Sequence, residues 1–522
     1  FIPHAHLPDK GWQWYNYGYN QISYDGSGEK HMQVLFVAAE AAGLIKVGGL
    51  GDVARELPRQ LKALGADIRL VIPAHREIRA ETRVVAEFPV RMGEKEEICI
   101  LKEAEGTPVP TLLVGSERYF SRPSVYGYQD DAERFAFFCL AVFQWLKGSD
   151  FIPEVIHLND WHTAPLAMLI REREEEIPAL TKTALVFTIH NLAYQGTCGY
   201  DIFKLYGVGD AAFTPDGVEF YGAFNPMKAG IGYSDRFNAV SVTGAREMTA
   251  NGFGLEGFVG VHRKRLSGIP NGIDHDAWNP ASDPALFQNY SVENPGAKRE
   301  NKKKLRKLLR LDGRGGALCG VVSRLDRIKG TDLLIPAAEK IVREGGQMVI
   351  LGKGSPEYEQ PLKQLEEMYP GRVAVCIDFD DELARRIYAA SDLFLMPSRY
   401  EPCGLAQLIA MRYGAIPVVH RVGGLADTVR DEAAHPGEGT GFTYGADSAN
   451  AFTRAISKAL RMYASDRDGW KKLVKRAMSY DSSWDQSAQA YLVLYREAAA
   501  VRNKGNRAGR RKKRTEVCNQ DT

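Results

Sequence analysis

The sequence predicts an α/β protein with two doubly wound parallel sheets joined near residue 270. Three observations carry that reading. Short apolar, β-branched runs alternate with longer helical patterns from Met32 onward. The alternation breaks at the turn-rich "SGIPNGIDHDAWNP" (Ser267 to Pro280) and then restarts. The runs are continuously apolar, as in parallel strands covered by helices on both faces. The chain's 522 residues, 44% hydrophobic and 25% charged, are ample for two large cores.

Residues 1–30 read as an N-terminal extension. Its aromatic stretch "GWQWYNYGYN", with Trp12 and Trp14, suits either stacking on sugars or packing on the body. The start at Phe1, without a methionine, reads as a trimmed, processed or partial chain. In residues 31–270 the strands are "MQVLFVAAE", "IRLVIPA", "EVIHLND", "ALVFTIHN" and "FNAVSVT", with helices at "DVARELPRQLKALG" and "ERFAFFCLAVFQWLKG". The Gly, Pro, Asn and Asp of Ser267–Pro280 mark a connection. Residues 271–478 open on the charged helix "GAKRENKKKLRKLLRL" and continue through strands "LCGVVSRL", "QMVILGKG", "VAVCIDF", "DLFLMPS" and "IPVVHR". A terminal helix, "SWDQSAQAYLVLYREAAA", occupies 479–502, and 503–522 read as a basic, disordered tail.

Composition narrows the functional classes. Seven scattered cysteines, with no paired or metal-ligand spacing, fit free thiols in a reducing compartment. No apolar run approaches the roughly 20 residues that cross a bilayer. The net charge of +2 conceals a slightly acidic body, because seven Lys and Arg lie beyond residue 503 against two acids. A nucleic-acid reading would rest on that tail alone, so neither nucleic acid nor membrane is an expected partner.

Candidate chemistry clusters where strands end, the place where open α/β sheets bind ligands. In "KVGGLGDVARELP", Gly48, Gly49 and Gly51 permit close approach of backbone N–H groups to an anion. Lys46 adds charge and Asp52 can cap the helix. "HLNDWHTAP" presents His157, Asn159, Asp160 and His162 around Trp161, and "TIHNLAYQG" presents His190 and Asn191. Amide, imidazole and carboxylate groups beside aromatics suit a polyhydroxylated ligand. "VVSRLDRIKG" places Arg324 and Lys329 past a strand with Asp326 as their one acid neighbour, a pair able to neutralise a diphosphate. In "YEPCGLAQLIAMRYGAIPVVHRVGGLADTV", Pro402 and Gly404 shape a turn before a helix whose N–H groups attract phosphate. Glu401 then points at whatever that phosphate carries, able to stabilise positive charge at an anomeric carbon. No metal site is indicated.

These motifs together resemble the bacterial glycogen synthase and plant starch synthase family, retaining glucosyltransferases of the GT-B fold with two Rossmann-like domains and a cleft between them. The resemblance runs from about Met32 to about Ala500 and is carried by "KVGGLGDV", "HLNDWHTAP", "TIHNLAYQG", "GVEFYGAFNPMKAGI", "NGIDHDAWNP", "SRLDRIKG", "EPCGLAQLIAMRYGAIPVV" and "GGLADTV". It implies ADP-glucose as donor, the non-reducing end of an α-1,4-glucan (glycogen or starch) as acceptor, no metal and no other cofactor. It also implies an acceptor-side domain at 31–270, a nucleotide-sugar domain at 271–478, and a helix at 479–502 packing back on the first domain. The implied compartment is the cytoplasm of a bacterium or the plastid of a plant or alga. Lys46, Gly48 and Gly49, supported by Asp52, resemble the donor loop. Arg324 and Lys329 resemble the phosphate-neutralising pair, and Glu401 the essential acid, its loop continued by Cys403, Gly404 and Leu405. His190 and Asn191 resemble the pair on the transferred glucose, Asp160 the strand-end acid, and Phe379 the aromatic that stacks on adenine.

Three departures stand out. Ala406 occupies a position that many bacterial members fill with a hydroxyl residue, "RIKG" replaces QKG, and "VSVTGARE" puts Val242 where the family has proline. The last leaves the shape of that strand–helix turn open. Two other readings stay in play: a GT-B transferase using UDP-glucose, and a glucan-binding protein without turnover.

Overall fold

The computed structural model describes residues 31–313 and 316–518. The aromatic stretch around Trp12 and Trp14 therefore lies outside the described residues. The first sheet has nine strands: β1 (Gln33–Val37), β2 (Asp67–Pro73), β3 (Thr82–Met92), β4 (Lys95–Ala104), β5 (Thr111–Gly115), β6 (Val155–Asn159), β7 (Ala184–Ile189), β10 (Arg236–Ala239) and β11 (Leu266–Gly268). They lie in the order β11-β10-β7-β6-β1-β2-β5-β4-β3. A separate antiparallel pair, β8 (Glu219–Phe220) and β9 (Ala223–Phe224), sits between β7 and β10 in sequence. The strands of the second sheet are β12 (Leu318–Val322), β13 (Gln347–Leu351), β14 (Val373–Cys376), β15 (Leu393–Met396), β16 (Ile416–His420) and β17 (Phe442–Tyr444). This sheet is parallel throughout, in the order β14-β13-β12-β15-β16-β17.

The continuous apolar runs all become parallel strands. The structure adds β5, parallel to β2, followed outward by β4 and β3, each antiparallel to its inner neighbour. Exposed and half-buried residues fill most of β3, so it lacks the apolar run of a strand covered on both faces. The run "FNAVSVT" divides: its strand ends at Ala239, and a helix begins at Val242.

Two hydrophobic cores result. One joins buried residues from Val34 to Ile269 with Trp484, Ala488, Tyr491, Tyr495 and Ala498 of the last helix. The other runs from Ile273 to Met478. The last helix, Trp484–Cys518, continues through most of the stretch read as a tail, and residues 519–522 lie outside the described residues. It is tied to the first sheet by polar contacts: the His157 imidazole meets the Tyr495 hydroxyl at 2.7 Å, and Asn238 donates to the Tyr491 hydroxyl at 3.0 Å.

The chain thus passes between cores twice, and the two passages touch. Ile273 N–H donates to the Ser482 carbonyl at 2.7 Å, and the Ser487 hydroxyl donates to that of Pro270 at 2.6 Å. A side chain at Gly272 would come within 2.6 Å of the Trp484 nitrogen, so only glycine lets the passages lie this close.

Candidate active site

Glu401 lies in the segment leaving β15, 7% exposed. One carboxylate oxygen accepts from the Lys329 ammonium at 2.5 Å and from the Ser398 hydroxyl at 2.9 Å. Lys329 comes from the segment after β12, the neighbour of β15, so adjacent parallel strands deliver the two charges to one place. Asp326 and Asp332 are the acids nearest Lys329 along the chain, but the ion-pair partner of the ammonium is Glu401. Taking both charges out of water is costly, and their attraction offsets that cost only while both are present.

The glycine pair of "RVGGLADTV" shapes this loop. A side-chain carbon at Gly423 would sit 2.1 Å from the Glu401 carbonyl oxygen, and one at Gly424 would sit 2.0 Å from that of Cys403. The Gly424 N–H donates to the Glu401 carbonyl at 3.1 Å. Gly404 takes a φ of +74°, and the buried Gln407 amide donates to the carbonyls of Cys403 (3.1 Å) and Gly404 (2.7 Å). Cys403 is buried, which pushes its thiol up to about 12, so it is a packing residue and not a nucleophile. Ser323, Lys329, Ser398, Glu401, Leu405 and Ala406 line a cavity of about 130 Å³. That is below the roughly 300–1,000 Å³ of a pocket enclosing a whole small-molecule ligand. It is room for part of a ligand, with the Lys329–Glu401 pair in its wall.

Other predicted groups of the second half stand more openly. Arg324 is 53% exposed at its side chain, 3.5 Å from Asp326. Phe379 is 74% exposed just beyond β14.

On the first half, the glycine turn begins the Gly49–Ala63 helix, with Lys46 paired to Asp52 at 2.8 Å. Of the glycine amides expected to cradle an anion, that of Gly48 already has a carboxylate partner. The buried Glu40 carboxylate accepts from the N–H groups of Val47 and Gly48, the latter at 3.1 Å. Burial raises Glu40 to about 7, against the opposing pull of those amides and that of Gly51. Sequence reasoning missed Glu40, whose signal was an acid three residues past an otherwise apolar strand. The turn nevertheless faces the Glu401 loop: a side chain at Gly49 would lie 3.8 Å from the Leu405 side chain.

Asp160 has a φ of +56°, and its carboxylate accepts from the N–H groups of His190 (2.7 Å) and Asn191 (3.3 Å). It thereby fastens the end of β7 to that of β6, and burial raises it to about 7. His190 meets the Asn159 amide oxygen at 2.9 Å, and burial lowers it to about 3, so the imidazole is neutral at pH 7. Asn191 accepts from Ala193 N–H at 3.0 Å. His162 stacks on Trp161 with centroids 4.1 Å apart and stays neutral through burial. His157 is fully buried between Tyr495 and Thr188, a core group and not a ligand. Tyr126 was not anticipated: its ring lies 4.8 Å from that of His162, and burial, followed by the charges of Glu40 and Asp160, opposes its ionisation.

The open question about "VSVTGARE" is answered by the turn itself. Ser241 caps the helix by accepting from Gly244 N–H at 3.1 Å and donates across the cleft to the Pro402 carbonyl. Thr243 donates to Asp427 at 2.5 Å, and Glu247 accepts from Gly423 N–H at 3.1 Å. Val242, in place of proline, still opens the helix, because the cap comes from Ser241.

Comparison with known proteins decides the family. A family model described as starch synthase catalytic domain matches residues 33–261, and one for glycosyl transferases group 1 matches 316–462. Glycogen synthase of Clostridium novyi is 43% identical over 89% of this chain and 98% of its own length. The chain belongs to the glycogen and starch synthase family. Glycogen synthase of Thermotoga maritima is 40% identical over 90% of this chain and 99% of its own. The catalytic domain of starch synthase IV from Arabidopsis thaliana, solved bound to ADP and acarbose, superposes with a TM-score of 0.84 at 33% identity, covering 90% of this chain and all of that one. A sucrose-phosphate synthase from Thermosynechococcus elongatus shares the fold, with a TM-score of 0.58 at 20% identity.

Within this family of glucosyltransferases, the chain's two halves are the two domains of a GT-B fold, and Lys329 is paired to Glu401 beyond the ends of two neighbouring strands. Among the described residues, no helix is long and apolar enough to cross a membrane, and no group of three or more His, Cys, Asp or Glu has the arrangement of a metal site.

Proposed function

We propose that the chain transfers glucose from ADP-glucose to the non-reducing end of an α-1,4-glucan, with retention at the anomeric carbon. The observation that carries this reading is the pairing of half-buried Lys329 with buried Glu401, set on a cavity that faces the Lys46–Gly49 turn. Arg324 and Lys329, with Lys46 opposite, supply positive charge for a departing diphosphate. Phe379, exposed beyond β14, stacks on the base in this reading. Glu401 stabilises the oxocarbenium character of the sugar, and neutral His190 with Asn191 orients its hydroxyls. Asp160 holds both by their backbone amides.

In the proposed step the bond between glucosyl C1 and the diphosphate oxygen breaks, and C1 bonds to the acceptor's O4 on the same face. The acceptor's hydroxyl proton passes to the departing phosphate oxygen. Cleft closure excludes the water that would otherwise hydrolyse the donor. The reaction as proposed needs no cofactor beyond the sugar nucleotide. The compartment follows the source, the cytoplasm for a bacterium and the plastid for a plant or alga. The starch synthase solved with ADP supports the adenine donor. A glucan binder without turnover would have no use for cations gathered around a buried acid.

The test is incorporation of labelled glucose into glycogen from ADP-glucose and from UDP-glucose at equal concentration. ADP-glucose is expected to win by at least tenfold, and Arg324→Ala to lower turnover by at least tenfold with its melting temperature unchanged. Preference for UDP-glucose would overturn the donor assignment, and full activity of Arg324→Ala would overturn the diphosphate grip.

A further inference from the structure

Only four non-glycine residues among those described have a positive φ, and two are bulky exposed aromatics: Tyr221 (+50°) and Phe253 (+53°). Each is followed by a glycine also at positive φ, Gly222 (+82°) and Gly254 (+88°). Such left-handed pairs favour asparagine or glycine first, and a large aromatic there is strained. Burial does not account for the strain, because Tyr221 is 88% exposed and Phe253 43%.

The two turns are built as one unit. A side chain at Gly254 would come within 2.9 Å of the Phe220 ring, and Phe220 meets Tyr221 edge-to-face at 4.7 Å. Glu256 accepts from the N–H groups of Gly252 (3.2 Å) and Gly254 (3.0 Å), holding the Phe253 turn. The Gln195 amide donates to the Phe253 carbonyl at 3.0 Å and accepts from Asn225 at 2.7 Å, tying that turn to the end of β9. At its inner end the row reaches the site: Phe253 packs edge-to-face on Tyr400 at 5.1 Å, and Tyr400 precedes Glu401.

We infer that Tyr221 and Phe253 form an acceptor track, on which the outer sugars of an α-glucan stack while its end lies near Glu401. Rings fixed in solvent present flat apolar faces to the C–H faces of pyranoses. Continuity with Tyr400 and Glu401 selects a glucan over an unrelated partner. This rests on the glucan-transfer reading, and its test separates the two.

Tyr221→Asn and Phe253→Asn replace each aromatic by a residue that takes left-handed backbone readily, so both variants should melt at or above the wild-type temperature. A structural role for the rings predicts the opposite. Retardation of the full chain in native gels containing glycogen reads binding without turnover. Each variant is expected to weaken glycogen affinity about threefold to tenfold, the range of an aromatic contact. In the transfer assay the glycogen KM should rise by a similar factor, while the ADP-glucose KM stays within twofold. Unchanged retardation in the double variant would overturn the track. A wild type retarded through Tyr221 that transfers no glucose would sink the transferase reading and leave the track standing.

Discussion

Replacing Lys329 by alanine should separate what the buried pair does for the fold from what it does for chemistry. The Lys329 side chain is 21% exposed and that of Glu401 9%, at an N–O distance of 2.5 Å. Alanine leaves the buried carboxylate with the Ser398 hydroxyl to accept from. Orphaning one member of such a pair costs roughly 3–5 kcal/mol; at the lower figure, a domain of this size should melt about 6–12 °C lower. The double variant Lys329→Met, Glu401→Gln removes both charges and should recover most of that loss, because the penalty belongs to the uncompensated charge. Turnover should fall by orders of magnitude in both. Scanning fluorimetry with transfer rates on the same preparations is the assay. A single variant as stable as wild type, or a double variant no more stable than the single, would refute the electrostatic account of this pair.

Glu40→Gln tests the internal anion of the glycine turn. Glu40 is raised from 4.5 to about 7, so the folded state binds its proton more tightly than the unfolded chain, and the associated stability is lost as pH climbs through that interval. Relative to Glu40→Gln, wild type should lose roughly 3 kcal/mol between pH 4.5 and 7; parallel pH profiles would show that the carboxylate is not buried as described. Gly424→Ala should displace the Glu401 loop and abolish turnover, since its new carbon would lie 2.0 Å from the Cys403 carbonyl. Gly257→Ala, with nothing within 4 Å in the Glu256–His262 helix, should instead stabilise by about 0.5–1 kcal/mol with activity intact, as melting curves and rates will show.

The strands that could be read from sequence were those buried on both faces, where one continuous apolar run answers to one environment. β3 escaped because Arg83, Glu87 and Arg91 break up its apolar residues and most of the strand is open to water. Among site residues, Glu401, Lys329, Asp160 and His190 stood in motifs at strand ends, and the structure places them there. Their partnerships were another matter. Glu401 and Lys329 are 72 positions apart, and Glu40 meets the turn amides by folding back on its own strand end.

Local composition and period were enough for the architecture, and the strand-end motifs for the resemblance to the family, because strand burial and glycine turns are properties of short segments. Which charge neutralises which, which amides Glu40 and Asp160 occupy, and why Gly423 and Gly424 had to be glycine were settled only in three dimensions. Those outcomes depend on distances between segments far apart in the chain, and no local pattern encodes them.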